Sequence, residues 1–197
     1  MNWIVGIIVF IIWLYILHLL TKGKLLSWRF LWGSLGIFTI MMVFIRPVLT
    51  QPMAQGVSAL AGFVGEISNT FTAYFKYGII FIETATGAIT LQIDFECSGI
   101  VEIMAFISLL LFFDVYTKYE KVLVGIMGFA YIMLANAFRI ILICEIVHVC
   151  GSSAYYVAHT FIGRIFFYVL SVLLYFYVFT KPQVVKMKVG DFKYDNN

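Results

Sequence analysis

Three residues of this chain have the side-chain types that acyl transfer through sulfur needs, and each sits in a compact block. Cys97 lies in Asp94-Phe95-Glu96-Cys97-Ser98-Gly99-Ile100, Arg139 in Ala135-Asn136-Ala137-Phe138-Arg139-Ile140, and His159 in Tyr155-Tyr156-Val157-Ala158-His159-Thr160-Phe161-Ile162-Gly163. A thiolate attacks a carbonyl carbon, a cation steadies the thiolate or the developing oxyanion, and an imidazole carries the proton. Plainer readings exist for each. A cysteine in an apolar helix is commonly a packing residue, an arginine can snorkel to headgroups, and a histidine can join an interfacial aromatic belt. Arg139 weighs against the plain reading, because an arginine inside an apolar helix is costly to desolvate and defaults to a functional role. Asp94 and Glu96 raise the pKa of a thiol and a helix N-terminus lowers it, so Cys97 calls for a cationic partner.

The elements that must position these residues can be read from the apolar pattern. Ala88 to Glu96 reads as extended, with Ile89, Leu91, Ile93 and Phe95 alternating against Thr90, Gln92 and Asp94. An apolar helix follows from Gly99, so Cys97 falls at a strand-to-helix joint. The chain of 197 residues is 63% hydrophobic and 12% charged, with mean hydropathy +1.01. That excess of apolar surface predicts an all-α polytopic membrane helix bundle in one domain, 1–197. About five spans are expected: Trp3 to Leu20, Phe30 to Ile45 (stopped by Arg46-Pro47), Ile100 to Phe113, Val122 to Val147, and Tyr155 to Phe179. Residues 48–88 contain two apolar stretches too short to span, Met53 to Gly65 and Phe71 to Ile82. The small residues among them suggest close packing, and the region reads as re-entrant or interfacial helices.

The net charge of +3 matters less than its distribution. Lys22, Lys24, Arg29, Lys118, Lys121, Lys186, Lys188 and Lys193 gather on one side, which the positive-inside rule assigns to the cytoplasm. The N-terminus is then outside, and the polar tail 181–197 inside. Counting along each helix from these lysines, Cys97, Arg139 and His159 lie roughly 30, 27 and 33 Å away. Three spans thus bring them to one depth at the outer edge of the bilayer, where they should line one cavity. Asn136, one helical turn before Arg139, is placed to orient it. His18 lies beside the cytoplasmic loop and is a weaker candidate. His148 with Cys144, Glu145 and Cys150 leaves open a small metal site, and a Cys144–Cys150 disulfide is also open. No zinc-ribbon, phosphate-loop or dinucleotide spacing is present.

The blocks Glu96-Cys97-Ser98-Gly99-Ile100, Asn136-Ala137-Phe138-Arg139-Ile140 and His159-Thr160-Phe161-Ile162-Gly163 with Phe166, in this order, resemble the three signatures of the exosortase/archaeosortase family. The resemblance covers about residues 85–180, the expected core, and is nearest to the small G-type branch of Gram-positive bacteria. It implies an integral-membrane cysteine protease or transpeptidase in which Cys97 is the nucleophile, Arg139 the cation and His159 the acid/base. Ser98, Gly99, Asn136 and Gly163 would support them. The implied partners are membrane lipid and a secreted protein with a C-terminal sorting signal, cleaved at the outer face of the cell membrane. No cofactor, metal or nucleic acid is called for. Glu102 and Glu145 depart from the resemblance. The competing class is a non-enzymatic assembly factor or transporter subunit, whose polar residues would serve as packing glue or as an ion path.

Overall fold

The structure is a computed structural model and describes residues 3–84 and 87–190. Lys193 and the end of the predicted tail lie outside the described residues. Helices α1 (Trp3–Lys22), α2 (Leu26–Phe44), α3 (Arg46–Ser68), α4 (Ile100–Phe112) and α5 (Lys118–Cys150) precede a long final helix, Ser152–Val185, which runs on to Gly190. Among the described residues, α2, α5 and the final helix are each long and apolar enough to cross a membrane. The Val9–Lys22 part of α1 and α4 are shorter apolar helices. The predicted helix bundle is what the chain forms.

The region between the second and third spans differs from expectation. Arg46-Pro47 does not stop the chain's helical course. The helix breaks only at Ile45, and α3 starts at once with the proline in its first turn, where no N–H is needed. Asn69 then ends α3 in the left-handed conformation. Phe71 to Ile82 is not an apolar helix; only Phe75–Tyr77 makes one 3₁₀ turn. The stretch forms β1 (Phe71–Tyr74) and the start of β2 (Ile79–Thr84), which with β3 (Gly87–Gln92) make an antiparallel sheet in the order β1-β2-β3. The reason is a period-two pattern in which Ile80 and Ile82 are buried while Phe81 and Glu83 face outward. Glycines on α3 let the sheet approach. A Cβ at Gly65 would stand 2.5 Å from the Phe71 carbonyl oxygen, and one at Gly62 would stand 2.7 Å from Ala73 Cβ. The small residues do serve close packing, Gly62 and Gly65 against the sheet and Gly56 against Met133 of α5.

The core is built around α5, whose Ile140, Ile143, Cys144 and Val147 are fully buried. They pack with Ala54, Val57 and Ala61 of α3, with Ile80, Ile82 and Leu91 of the sheet, and with Phe167 of the final helix. One end of the bundle is tied by Arg29 of α2 to Asp114 in the α4–α5 loop, and by the Tyr116 hydroxyl to the Val178 carbonyl at 2.7 Å. The second bond has a local cause. Pro182 has no N–H to return to the carbonyl four residues earlier, so Val178 is free to accept from Tyr116. The other end of α5 is tied to the sheet. Thr70 Oγ1 donates to Glu145 Oε1 at 2.7 Å, and His148 Nδ1 meets the Glu83 carbonyl at 2.6 Å.

Candidate active site

Cys97 follows β3 by a turn that fixes the thiol before α4 begins. The expected extended course ends at Gln92; Asp94 to Gly99 turn instead. The Asp94 carboxylate accepts from the backbone N–H groups of Glu96 and Cys97 at 3.1 and 3.0 Å, an arrangement its short side chain favours. Ser98 Oγ donates to the Phe95 carbonyl at 3.1 Å, so its hydroxyl closes the turn. Gly99 has φ +76°, which a residue with Cβ adopts only under strain, and a Cβ there would also crowd Asn136 Nδ2 at 3.3 Å. The turn can therefore sit directly on α5.

Asn136 does not orient Arg139, as its place on the helix suggested. Its Nδ2 donates to the Cys97 carbonyl at 2.6 Å, so it holds the nucleophile's own backbone. Arg139, one turn on and 4% exposed, points its Nη2 at Cys97 Sγ from 3.9 Å. The Phe167 ring centroid lies 5.7 Å from its guanidinium carbon. No carboxylate pairs with Arg139 among the described residues.

His159 arrives from the final helix, and the backbone there is not α-helical. Ala158–Ile162 is a π turn, closed by the Gly163 N–H on the Ala158 carbonyl. Such one-turn widenings are common at functional positions. The His159 ring stacks on Tyr155 with centroids 5.5 Å apart, and its Nε2 lies 3.2 Å from Cys97 Sγ. Gly163 keeps this turn close to α5, because a Cβ would fall 2.8 Å from Ile143 Cδ1.

Cys97, Arg139 and His159, from three separate elements, thus meet at one sulfur. The neighbouring charges act in the expected directions, and burial adds to them. Burial pushes the Cys97 thiol up to about 11; Arg139 pulls it down, while Asp94 and Glu96 push it up further. Desolvation outweighs the cation and favours the thiol over the thiolate. The expected cavity is different. A space of about 290 Å³ adjoins the cluster, walled by Arg139 together with Phe95, Glu96, Glu102, Arg164 and Phe167. Cys97 and His159 are not among its walls. Sequence reasoning missed Arg46, which covers the Phe95 ring at 4.9 Å, and Arg164, which reaches Glu96 at 3.5 Å. Only the position of both arginines away from the basic loops hinted at a place near Cys97.

The other candidates do not join the cluster. Cys144 and Cys150 are free thiols, Glu145 accepts from Thr70 just before β1, and His148 meets the Glu83 carbonyl of β2. No group of potential metal ligands forms among the described residues.

The chain is thus a helical membrane protein in which an imidazole and a guanidinium both approach one buried thiol. The chain matches the family model described as Transmembrane exosortase (Exosortase_EpsH) over residues 2–176, and it belongs to that family. Neither a curated protein nor a solved structure matches it.

Proposed function

We propose that the protein is a cysteine peptidase or transpeptidase that cleaves the C-terminal sorting signal of a secreted, membrane-anchored protein. The observation that carries this reading is the approach of His159 Nε2 to Cys97 Sγ at 3.2 Å, with Arg139 Nη2 at 3.9 Å from the same sulfur. Because the resting sulfur is protonated, His159 takes its proton as the S–C bond to the substrate carbonyl forms. Arg139 then faces the charge that develops on sulfur and on the carbonyl oxygen. As the C–N bond breaks, the imidazolium returns that proton to the leaving amine. A thioester to Cys97 remains, and an amine or water takes the acyl group from it. Asn136, Ser98 and Gly99 hold the turn that presents the thiol, and Gly163 seats the His159 turn.

The cleavage lies at the outer face of the cell membrane, with the N-terminus outside and the C-terminus inside. The loops carrying Lys22, Lys24, Lys118 and Lys121 support this orientation, since Arg29 and Asp114 draw them to one end of the bundle. The test is in cells. Cys97→Ala should abolish processing, so that an uncleaved precursor accumulates in the membrane while the variant stays folded there. In wild type, hydroxylamine should release the substrate's acyl half from Cys97. Normal processing by Cys97→Ala would end the proposal.

A further inference from the structure

The sheet that sequence reasoning missed has an edge leading straight to the reactive sulfur. β3 is the last strand of the sheet. The Ile93 N–H donates to the Gly78 carbonyl at 2.9 Å, and the register pairs Ile80 with Leu91 and Ile82 with Ile89. In an antiparallel ladder, bonded and unbonded pairs alternate. Ile89, Leu91 and Ile93 therefore turn their backbone groups to β2, and Ala88, Thr90 and Gln92 turn theirs outward. All three outward residues are exposed. Natural edges are blunted by lysine, proline, a bulge or a covering segment. Between Gly87 and Gln92 there is neither a charge nor a proline. The Ser152–Ala154 turn passes near β3 but makes no backbone hydrogen bond to it. The opposite edge, β1, is packed on α3 instead.

We propose that this edge is the substrate-binding strand, taking the extended segment that precedes the scissile bond as a fourth, parallel strand. This rests on the peptidase reading above and names how the substrate is held. Continuity with the site selects the occupant: β3 runs from its hairpin to the Cys97 turn, and α4 then enters the apolar bundle. A substrate whose extended segment is followed by a membrane helix runs the same way. Its acyl half lies along β3, its scissile carbonyl reaches Cys97, and its apolar half enters the bilayer. Recognition here is of backbone N–H and C=O groups, so it tolerates sequence variation in the segment.

The test uses the full-length protein in lipid bilayers and pentaalanyl chloromethyl ketone, which alkylates a thiol with loss of chloride. Alkylation of Cys97 by iodoacetamide, which has no peptide backbone, is the reference rate. A series of the ketone carries one backbone N-methyl group at each residue in turn. Docking on β3 requires a period of two: methylation at alternate residues slows Cys97 labelling roughly threefold to tenfold, and at the others by less than about twofold. Thr90→Pro removes one outward donor and should slow the unmethylated ketone by a similar factor, with the iodoacetamide rate unchanged. A uniform or absent methylation effect, or a ketone rate unaffected by Thr90→Pro, would overturn the inference. Should Thr90→Pro unfold, the methylation series on the unaltered protein decides alone. Loss of periodicity with Cys97 still cleaving substrate removes only the β3 docking. Normal processing by Cys97→Ala removes the peptidase reading itself.

Discussion

Arg29 and Arg139 are both arginines on apolar helices, and their surroundings could hardly differ more. Arg29, in the first turn of α2, meets the Asp114 carboxylate where the α4–α5 loop crosses it. Asp114 is more than half exposed, so that pair is of the weak, solvent-screened kind. Arg139 is buried in the second half of α5 with a sulfur and an aromatic face for company, and neither Glu96 nor Glu102 of the cavity wall forms an ion pair with it. A structural arginine is neutralised by its own protein. An arginine without an ion pair in an apolar bundle fits the proposed role, in which it faces a charge that develops only as substrate reacts.

The largest expected contrast is in substrate processing. Arg139→Lys keeps the charge but loses the planar, paired donors, and should cost roughly 10²–10³ in rate. Arg29→Lys should process substrate close to the wild-type level. Equal losses for the two, measured as precursor cleaved per unit of protein, would erase the distinction.

The next contrast is in acidity. With the thiol near 11, iodoacetamide labelling of Cys97 should rise about tenfold per pH unit from about pH 7 to 10, with no plateau near neutrality. Arg139→Met removes the pull that lowers this pKa, so its profile should move to higher pH. Arg29→Met should leave the profile in place. A plateau below pH 8 in the wild type would mean a standing thiolate and a different division of labour with His159.

The smallest effect concerns stability. Asp114→Asn leaves Arg29 unpaired at a wet end of the bundle and should cost less than about 1 kcal/mol, read as a slight fall in melting temperature with processing intact.

How much of this was legible beforehand follows physical lines. The apolar helices were, because apolar length is a one-dimensional property, although only three of the five expected spans are long enough to cross a membrane among the described residues. The meeting of Cys97, Arg139 and His159 was as well, since similar distances along three helices can bring three blocks to one place. Phe71 to Ile82 was not: a short apolar run between polar residues fits a strand or a helix equally until its partner is known, and here the partner is β3. Asn136 was assigned to the wrong neighbour for a similar reason. Helix spacing shows which residues share a face but not what that face meets, and Asn136 meets the Cys97 carbonyl across a gap in the chain. The charges acting on Cys97 were legible, with Asp94 and Glu96 raising its pKa and Arg139 lowering it, but its depth of burial was not.

The π turn at Ala158–Ile162 makes the length of the final helix a setting in its own right. A π turn holds one residue more than the α-helical turn it replaces, and each residue in an α-helix is worth about 100° of rotation. Deleting a single residue such as Thr160 would let the helix regularise with every side chain of the cluster still encoded. His159 would then rotate away from Cys97 relative to Gly163 and all that follows. In this stretch a shift of frame by one residue within the helix would separate His159 from Cys97 as surely as changing the histidine, so the number of residues matters alongside their identities.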